Sequence, residues 1–446
     1  MSPQLLSVLG LALVFLIGTL RSVNLGALAL VAAFGIGVGL LGMPTADVLA
    51  GFPAGLFVIL VGVTYLFAIA RNNGTVDLIV RAAVRSVGGR VALIPWVMFA
   101  VTAVLTAIGA ASPAACAIVG PIALGFAGRY RISPLMMGML VVHGAQAGGF
   151  SPISIYGVIT NSVMAENNLP VDEGAIFLSS LLFNLAIAIA LFFALGGRQL
   201  WSRRLSRDEL DDTDEPGDAD PSGAAGSGTV VKTTATKTQS ETAVSRRRLT
   251  DQVITLVAFG AVAFVALVFE RNIGFTAITA AVILTALFPK EQKGAIKQIA
   301  WSTVLLVAGV STFATILNEA GAPEWVGNWA AGLGTILIGA LVLCYVGGIT
   351  SAFASSTALL PIIVPIAIPL IASGNVSAVG VVAALAVAST IVDVSPFSTN
   401  GALMVANRPD TITEEAYYRQ VLSYSVLVTL VGPLLVWATI VVPGWI

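Results

Sequence analysis

A seven-residue polar motif occurs twice in this apolar chain and supplies the side chains best suited to binding chemistry. One copy runs from Ser151 to Gly157 and the other from Ser395 to Gly401, and both read Ser-Pro-x-Ser-x-x-Gly. The copies lie 244 positions apart. Each interrupts a long apolar run, where serine hydroxyls and unpaired backbone groups offer ligands to a small ion. The repetition predicts a broken transmembrane helix in each half of the chain.

Two ionisable side chains are predicted to lie within the membrane. Asp393 stands just before the second motif, and Gly149 holds the equivalent position before the first. An intramembrane carboxylate is costly and is usually functional, so Asp393 is a candidate Na⁺ ligand or proton carrier. The alternative is a carboxylate that caps the half-helix after the break. For His143, the single histidine, a role in proton transfer or substrate binding and a packing hydrogen bond are equally open.

The composition indicates the class of protein. Of the 446 residues, 57% are hydrophobic and 10% are charged, and the mean hydropathy is +0.95. Soluble domains are about half apolar and about a quarter charged, so we expect an all-α, multi-pass membrane protein. The formal net charge of −1 gives no indication of nucleic-acid binding. Cys116 and Cys344 lie in apolar stretches and predict no disulfide.

Apolar runs predict five membrane spans and one re-entrant hairpin in each half. In the first half the spans are residues 4–20, 24–41, 52–70, 133–164 and 175–195, and the hairpin is residues 91–127. In the second half the spans are residues 252–268, 273–287, 303–317, 376–407 and 421–442, and the hairpin is residues 333–372. The broken helices are 133–164 and 376–407. A basic amphipathic stretch, 71–90, is predicted to lie in the interface, and 318–328 to form a polar loop.

Residues 198–250 form a predicted linker between a first repeat, residues 1–197, and a second repeat, residues 251–446. The linker is rich in Asp, Glu, Ser, Thr, Gly and Ala and has few large apolar side chains. Such a segment buries too little apolar area to offset its ordering entropy. We therefore expect the linker to be disordered and cytoplasmic.

The distribution of basic residues predicts that the repeats are inverted. The loop after Gly74 is basic, whereas the equivalent loop after Gly321 contains no Lys or Arg. Because cytoplasmic loops carry the excess of Lys and Arg, the two loops lie on opposite sides of the membrane. Both termini are then external, and every Lys and Arg except Arg271 is cytoplasmic. The expected location is a bacterial-type cytoplasmic membrane.

Four interruptions define the predicted site. The first tip, Ser112-Pro113, and the second tip, Ser355–Thr357, end the hairpins. The first break, Gly148–Pro152, and the second break, Asp393–Pro396, divide the broken helices. Transporters with inverted repeats bind their substrates near the midplane, where such interruptions free backbone groups. The candidate substrate ligands are Ser112, Pro113, Ser151, Pro152, Ser154, Ser355, Ser356, Thr357, Ser395, Pro396, Ser398, Thr399 and Asn400. The candidate Na⁺ ligands are Ser112, Gly149, Ser151, Thr357, Asp393 and Ser395, and the candidate proton-coupling groups are Asp393 and His143.

The chemistry of the midplane favours small anions. No Lys or Arg is predicted there, so an anion would depend on amides, hydroxyls, Asn400 and bound cations. Plainer interpretations remain open: a proline kink, or Gly and Ser that only permit close packing. Tyr156 and Phe397 could line the cavity, although apolar packing is the default expectation for both. The doubling of the motif favours a site over a simple kink.

These residues resemble a known family. Ser112-Pro113 followed by Gly148-Gly149-Phe150-Ser151-Pro152 resembles the MatC-type dicarboxylate (malonate) carriers of the ion transporter superfamily, which are related to the divalent anion/sodium symporters. The resemblance implies a dimeric, elevator-type carrier of small dicarboxylates, usually driven by Na⁺, with no further cofactor. In the sodium symporters each tip carries Ser-Asn-Thr. The matching positions here read Ser112-Pro113-Ala114 and Ser355-Ser356-Thr357, so the substrate and the coupling ion stay open.

The sequence therefore predicts a secondary active transporter of a small dicarboxylate, malonate-like or four-carbon, coupled to Na⁺ or H⁺. Two alternatives in the same superfamily are a cation/proton antiporter and an inorganic oxyanion transporter. An antiporter usually needs more intramembrane carboxylates than Asp393 alone. A different class of protein would be a membrane enzyme, or a sensory module with the linker as its output. No paired carboxylates, metal-ligand cluster or nucleophile–base pair is visible in the sequence, and the linker is predicted to be unfolded. The expected partners are the dicarboxylate anion, the lipid bilayer and a second copy of the chain.

Overall fold

Every regular element that the structure describes is a helix. The computed structural model describes residues 2–21, 23–85, 88, 90–203, 240–269, 271–289, 294–332, 335–353, 356–372 and 376–444. Ser355 of the second tip and residues 204–239 of the predicted linker lie outside these ranges. For the described residues, the prediction of an all-α protein is confirmed.

The helices before and after the linker follow the same order. Those before it are α1 (Pro3–Leu20), α2 (Leu25–Gly37), α3 (Thr45–Ala50), α4 (Ala54–Asn72), α5 (Thr75–Arg85), α6 (Ile94–Ala107), α7 (Ser112–Arg129), α8 (Pro134–Gly148), α9 (Ile155–Glu166), α10 (Glu173–Ala194) and α11 (Gly197–Leu200). Those after it are α12 (Ser240–Val268), α13 (Ile273–Leu287), α14 (Trp301–Glu319), α15 (Ala322–Ala331), α16 (Ile336–Phe353), α17 (Ser356–Ala372), α18 (Ala378–Thr390), α19 (Thr399–Ala406) and α20 (Glu414–Val436). Helices α4 to α10 thus correspond in order to α14 to α20.

Helix starts are capped in matched pairs. Asn24 Oδ1 accepts a hydrogen bond from the backbone N–H of Gly26 at 3.0 Å, and Asn272 Oδ1 does the same for Gly274 at 3.0 Å. At the start of α8, Ser133 Oγ accepts from Met136 N at 3.3 Å; at the start of α18, Ser377 Oγ accepts from Gly380 N at 3.2 Å. Each cap is worth about 1 kcal/mol to its helix. The same capping chemistry therefore starts equivalent helices in the two halves.

Six of the described helical segments are long and apolar enough to cross a membrane. They are Thr45–Asn72, Ser112–Arg129, Glu173–Ala194, Leu249–Ala266, Trp301–Glu319 and Glu414–Val441. A bilayer core needs about 20 helical residues. The first limb of each predicted hairpin, α6 and α16, and one limb of a broken helix, α18, are among the shorter apolar helices. An interruption near the middle of a span divides it into pieces of this length.

Several boundaries differ from the prediction, among them the start of the last helix, α20, which lies at Glu414 and not at residue 421. The polar loop predicted over residues 318–328 is wrong, because α15 begins at Ala322. Gly321 adopts a positive φ of 70° and Pro323 lies in the first turn, a combination that starts a helix. The interfacial stretch 71–90 is helical over Thr75–Arg85. Helix α12 begins at Ser240, inside the stretch predicted to be linker.

Close glycine contacts join the two halves. Helix α2 packs on α14, where a Cβ at Gly309 would clash with the carbonyl oxygen of Gly26. Helix α4 packs on α13, where a Cβ at Gly62 would clash with the carbonyl oxygen of Gly274. Small residues allow such close backbone approach between membrane helices. Since α13 is the counterpart of α2, and α14 of α4, the two contacts are equivalent. Helices α7 and α19, and α9 and α17, pair across the halves in the same way.

These matched contacts support the predicted repeat. The direction in which each half crosses the membrane stays a prediction, as does the re-entrant character of the two hairpins.

Candidate substrate and ion site

The two breaks are built by the same hydrogen bonds. In the first, the Ser154 hydroxyl donates to the carbonyl oxygens of Ser151, at 2.7 Å, and Gly149. In the second, the Ser398 hydroxyl donates to the carbonyl oxygens of Ser395 at 2.7 Å and Asp393 at 2.6 Å. The carbonyl oxygens of Gly149, Ser151 and Ser395 also accept a backbone N–H, so the serine hydroxyl is a second donor at these three and the donor found for Asp393 O. The fourth residue of the motif therefore shapes the backbone in both copies.

The last residue of the motif also has a structural role. A Cβ at Gly157 would clash with the carbonyl oxygen of Ser151, and a Cβ at Gly401 with that of Ser395. Glycine is required because the helix after each break begins directly against the turn before it. The repeated motif thus serves mainly to end one helix and to begin the next.

Five of the predicted substrate ligands are not among the residues that line the cavity described below. They are Ser151, Pro152, Ser154, Ser395 and Pro396. The Ser151 hydroxyl donates to the carbonyl oxygen of Ala107 at 2.6 Å, which ties the first break to the end of α6. Ser395 Oγ accepts from the Phe397 N–H at 3.2 Å. These hydroxyls bond to backbone groups, and the assignment of the motif serines to the substrate stays a prediction.

A cavity of about 560 Å³ lies where the tips, the breaks and helices α1, α2 and α14 meet. Nine predicted site residues line it: Ser112, Pro113, Gly149, Ser356, Thr357, Asp393, Ser398, Thr399 and Asn400. Ser355 lies outside the described residues. Tyr156 and Phe397 line the cavity although apolar packing was expected for them, and Ser302 and Thr303 of α14 were not predicted.

The four α-helices that follow the tips and the breaks all begin at this cavity. Ser112, Ile155, Ser356 and Thr399 are the first residues of α7, α9, α17 and α19, and all four line it. A helix N-terminus carries a partial positive charge and unpaired N–H groups, which favour an anion. None of the described lining residues is Lys, Arg or His. The helix N-termini are therefore the source of positive potential among the described lining residues, and the Asp393 carboxylate opposes it.

The Asp393 carboxylate lies in the same cavity and is 7% exposed. Its Oδ2 accepts from the Ser356 hydroxyl at 2.9 Å and from the Tyr156 hydroxyl at 3.3 Å. The alternative role as a helix cap is not observed, because Ser398 caps α19 by accepting from Gly401 N at 3.3 Å. Asp393 therefore does not cap α19, and its carboxylate faces the cavity.

A second contact crosses between the halves. Asn400 Nδ2 donates to Ser112 Oγ at 2.8 Å, and Asn400 Oδ1 has no hydrogen-bond partner although the residue is only 2% exposed. The first tip therefore touches the helix that follows the second break. Polar contacts therefore join opposite halves at the cavity, through Tyr156 and Asp393 and through Asn400 and Ser112.

His143 belongs to a closed packing network and does not line the cavity. Asn184 Nδ2 donates to Ser180 O at 2.9 Å, so Asn184 Oδ1 is the acceptor for His143 Nδ1–H at 2.8 Å. The other ring nitrogen, Nε2, then accepts from the Tyr424 hydroxyl at 2.6 Å. Both nitrogens of a neutral imidazole are satisfied. The geometry favours the packing role over proton coupling for this residue.

These features define a class: a multi-pass helical membrane protein with a polar cavity among broken helices, as in secondary transporters. The model of the dicarboxylate carrier protein MatC N-terminus matches residues 1–149, from α1 to the first break. The predicted resemblance is therefore confirmed over that part of the chain.

The fold is also similar to that of a solved transporter. The crystal structure of the YdaH transporter of Alcanivorax borkumensis, described as having an unusual topology, aligns with a TM-score of 0.56 at 12% sequence identity. The alignment covers 88% of this chain and 86% of that one. A search of curated protein sequences finds no match. The matching family model and the similar solved structure are both of membrane transport proteins, which supports a transporter rather than an enzyme.

Proposed function

We propose that the protein transports a small dicarboxylate across the cytoplasmic membrane and binds it in the cavity among the tips and breaks. The observation that carries this proposal is the convergence of four helix N-termini on one cavity that no described cationic side chain lines. A volume of about 560 Å³ lies within the usual range for small-molecule sites. The match of residues 1–149 to a dicarboxylate carrier model supports the substrate class.

The coupling ion is Na⁺ or H⁺, and the reason lies in the charge of the cavity. Asp393 lines the same space that a dianion would enter. Two like charges at close range repel strongly where water is scarce. A cation that binds at the carboxylate, or a proton that neutralises it, removes this repulsion. Accumulation of the substrate is then tied to the gradient of that ion.

The position of the cavity supports an elevator-type movement. One wall consists of the tips and breaks, and the other includes Gly18, Leu25, Ser302 and Leu306 of α1, α2 and α14. The close glycine contacts join α2 to α14 and α4 to α13, and we infer that these four helices act as a frame. We infer that the tips and breaks move against this frame, in a homodimer with external termini and a cytoplasmic linker.

Uptake into proteoliposomes tests the proposal. Labelled malonate, succinate and citrate are offered in turn, first with an imposed Na⁺ gradient and then with an imposed H⁺ gradient. We expect concentrative uptake of malonate or succinate under one of the two gradients, with citrate disfavoured by its size and third carboxylate. Absence of uptake and of exchange for both small diacids would show that the substrate class is wrong.

A bulky side chain in the cavity provides a matched test of its location. Ala111 lines the cavity just before α7, whereas Ala117 is exposed on the same helix. Ala111→Phe should abolish uptake by filling the space, while Ala117→Phe should leave it close to that of the unmodified protein. Equal uptake by both variants would place the substrate elsewhere.

A further inference from the structure

The sixth position of the repeated motif is the point at which the two halves exchange polar contacts. It is Tyr156 in the first copy and Asn400 in the second. Both side chains line the cavity, and each reaches the opposite half: Tyr156 contacts Asp393, and Asn400 contacts Ser112. Both lie in the first turn of a helix that begins at the cavity. Two equivalent side chains therefore approach one cavity from the two halves of the chain.

Asn400 has unused hydrogen-bonding capacity. Its Oδ1 is buried and without a partner, a situation that ordinarily costs about 1–3 kcal/mol. Its amide also carries a second N–H besides the one directed at Ser112 Oγ. A half-turn of the amide would let Oδ1 face the Ser112 hydroxyl and turn the NH₂ group toward a ligand. The residue is suited to donate to a carboxylate.

The hydrogen bond from the Tyr156 hydroxyl to Asp393 is long. The hydroxyl lies 3.3 Å from Asp393 Oδ2, longer than the 2.7–2.8 Å typical of O–H···O hydrogen bonds. The Ser356 hydroxyl donates to the same oxygen at 2.9 Å. If the tyrosine hydroxyl turns toward a ligand, Asp393 therefore keeps a donor. A substrate carboxylate is the same kind of acceptor as the Asp393 carboxylate, so the Tyr156 hydroxyl can exchange one for the other.

Gly149 determines where the tyrosine ring lies. A Cβ at this position would be 2.7 Å from Tyr156 Cδ2, so any larger residue would displace the ring. The equivalent position in the other half is Asp393. The absence of a side chain at Gly149 thus leaves room for Tyr156 to reach the Asp393 carboxylate of the second break.

We propose that Tyr156 and Asn400 are the specificity-determining pair that recognises the two carboxylates of the substrate, one from each half of the chain. The inference rests on the proposed function, since it assigns recognition groups to the same cavity. Each residue donates a hydrogen bond to one carboxylate of the substrate, in addition to the N–H groups of the helix N-termini. The site then selects a short acid with two carboxylates over a monocarboxylate of equal length.

The test is the preference for a diacid over the matching monoacid. Exchange of external labelled for internal unlabelled diacid is measured in proteoliposomes with the full-length protein. The diacid is malonate or succinate, whichever the unmodified protein exchanges better, and propionate or butyrate of equal carbon number is the competitor. Exchange requires no ion gradient, so defects in coupling do not obscure the result.

We expect Tyr156→Phe to raise the KM for the diacid, to keep the maximal exchange rate, and to reduce the preference over the monoacid. Asn400→Ala should act in the same direction, and the fold-changes should multiply in the double variant, because the two groups contact different carboxylates. Tyr130→Phe is the matched control, since the buried Tyr130 hydroxyl has no partner and lies outside the cavity. It should leave the preference unchanged.

Gly149→Ala offers a second route to the same result, because it leaves the hydroxyl in place but displaces the ring. It should reduce the preference as Tyr156→Phe does. If Tyr156→Phe lowers only the maximal rate and keeps the preference, the tyrosine serves Asp393 alone and the proposal is wrong. If the unmodified protein exchanges no diacid, the proposed function itself fails and this inference falls with it.

Discussion

The first and second breaks share a backbone but differ in chemistry. Each is a turn held by a serine hydroxyl and closed by a glycine, with equivalent hydrogen bonds 244 positions apart. Two of the differences give polar side chains that contact the opposite half: Gly149 against Asp393, and Tyr156 against Asn400. The residues that repeat are those that shape the helix break. These two differences lie in the lining of the cavity, which is where specific recognition and ion coupling would arise.

The strongest test of the shared backbone is the last glycine of the motif. Gly157→Ala and Gly401→Ala each place a methyl group against a serine carbonyl oxygen. Overpacking against backbone costs about 1–3 kcal/mol or more, and the helix after the break cannot move without opening the cavity. We expect both variants to lose most of the folded, monodisperse protein in detergent, as judged by size-exclusion chromatography and thermal unfolding.

Gly125→Ala is the control for this pair. Gly125 lies in α7, and a Cβ there would meet nothing within 4 Å. That variant should be as stable as the unmodified protein or slightly more so, because alanine favours a helix by about 0.8–1.0 kcal/mol over glycine. If one motif glycine tolerates alanine and the other does not, the two breaks are less alike than their hydrogen bonds indicate.

A smaller effect is expected from the serines that hold the turns. Ser154→Ala and Ser398→Ala each remove a hydroxyl that donates to two carbonyl oxygens. Buried acceptors left without a donor cost about 1–3 kcal/mol. The carbonyl oxygens of Gly149, Ser151 and Ser395 keep a backbone N–H donor in these variants, whereas among the described residues Ser398 is the donor found for Asp393 O. Ser398 also caps α19, so Ser398→Ala should lower the unfolding temperature more than Ser154→Ala. Equal losses in the two variants would show that neither the Asp393 carbonyl bond nor the cap contributes measurably.

The smallest effect on transport is expected at His143. It is the only histidine and lies in α8, the limb before the first break. His143→Gln should weaken the network with Asn184 and Tyr424 and lower stability by about 1–3 kcal/mol. The pH dependence and ion dependence of uptake should not change. A shifted pH profile in this variant would give the first broken helix a direct role in coupling.

Much of the architecture could be predicted from the sequence because it depends on strong, local signals. Apolar runs located the helices, and the repeated motif located both breaks. The position of Asp393 in the cavity followed from the cost of an intramembrane carboxylate. These signals are short-range or energetically large, so one sequence is enough to read them.

The direction of side chains could not be predicted in the same way. The motif serines were predicted to be ligands, and in the structure backbone carbonyl oxygens accept hydrogen bonds from the hydroxyls of Ser151, Ser154 and Ser398. Tyr156 looked like a packing residue, yet its hydroxyl reaches a carboxylate 237 positions away. Such contacts depend on how α7, α9, α17 and α19 pair between the halves. A clue was present, since Tyr156 and Asn400 hold the same place in the motif.

The glycine contacts between the halves have a consequence for how the protein is made. Helices α2 and α4 are synthesised before the linker, but the surfaces that receive them, on α14 and α13, come after it. The frame therefore cannot be assembled while the ribosome is still translating the first half. Until α13 and α14 have been synthesised, the glycine faces of α2 and α4 lack these partners. Formation of the frame therefore requires helices from both halves.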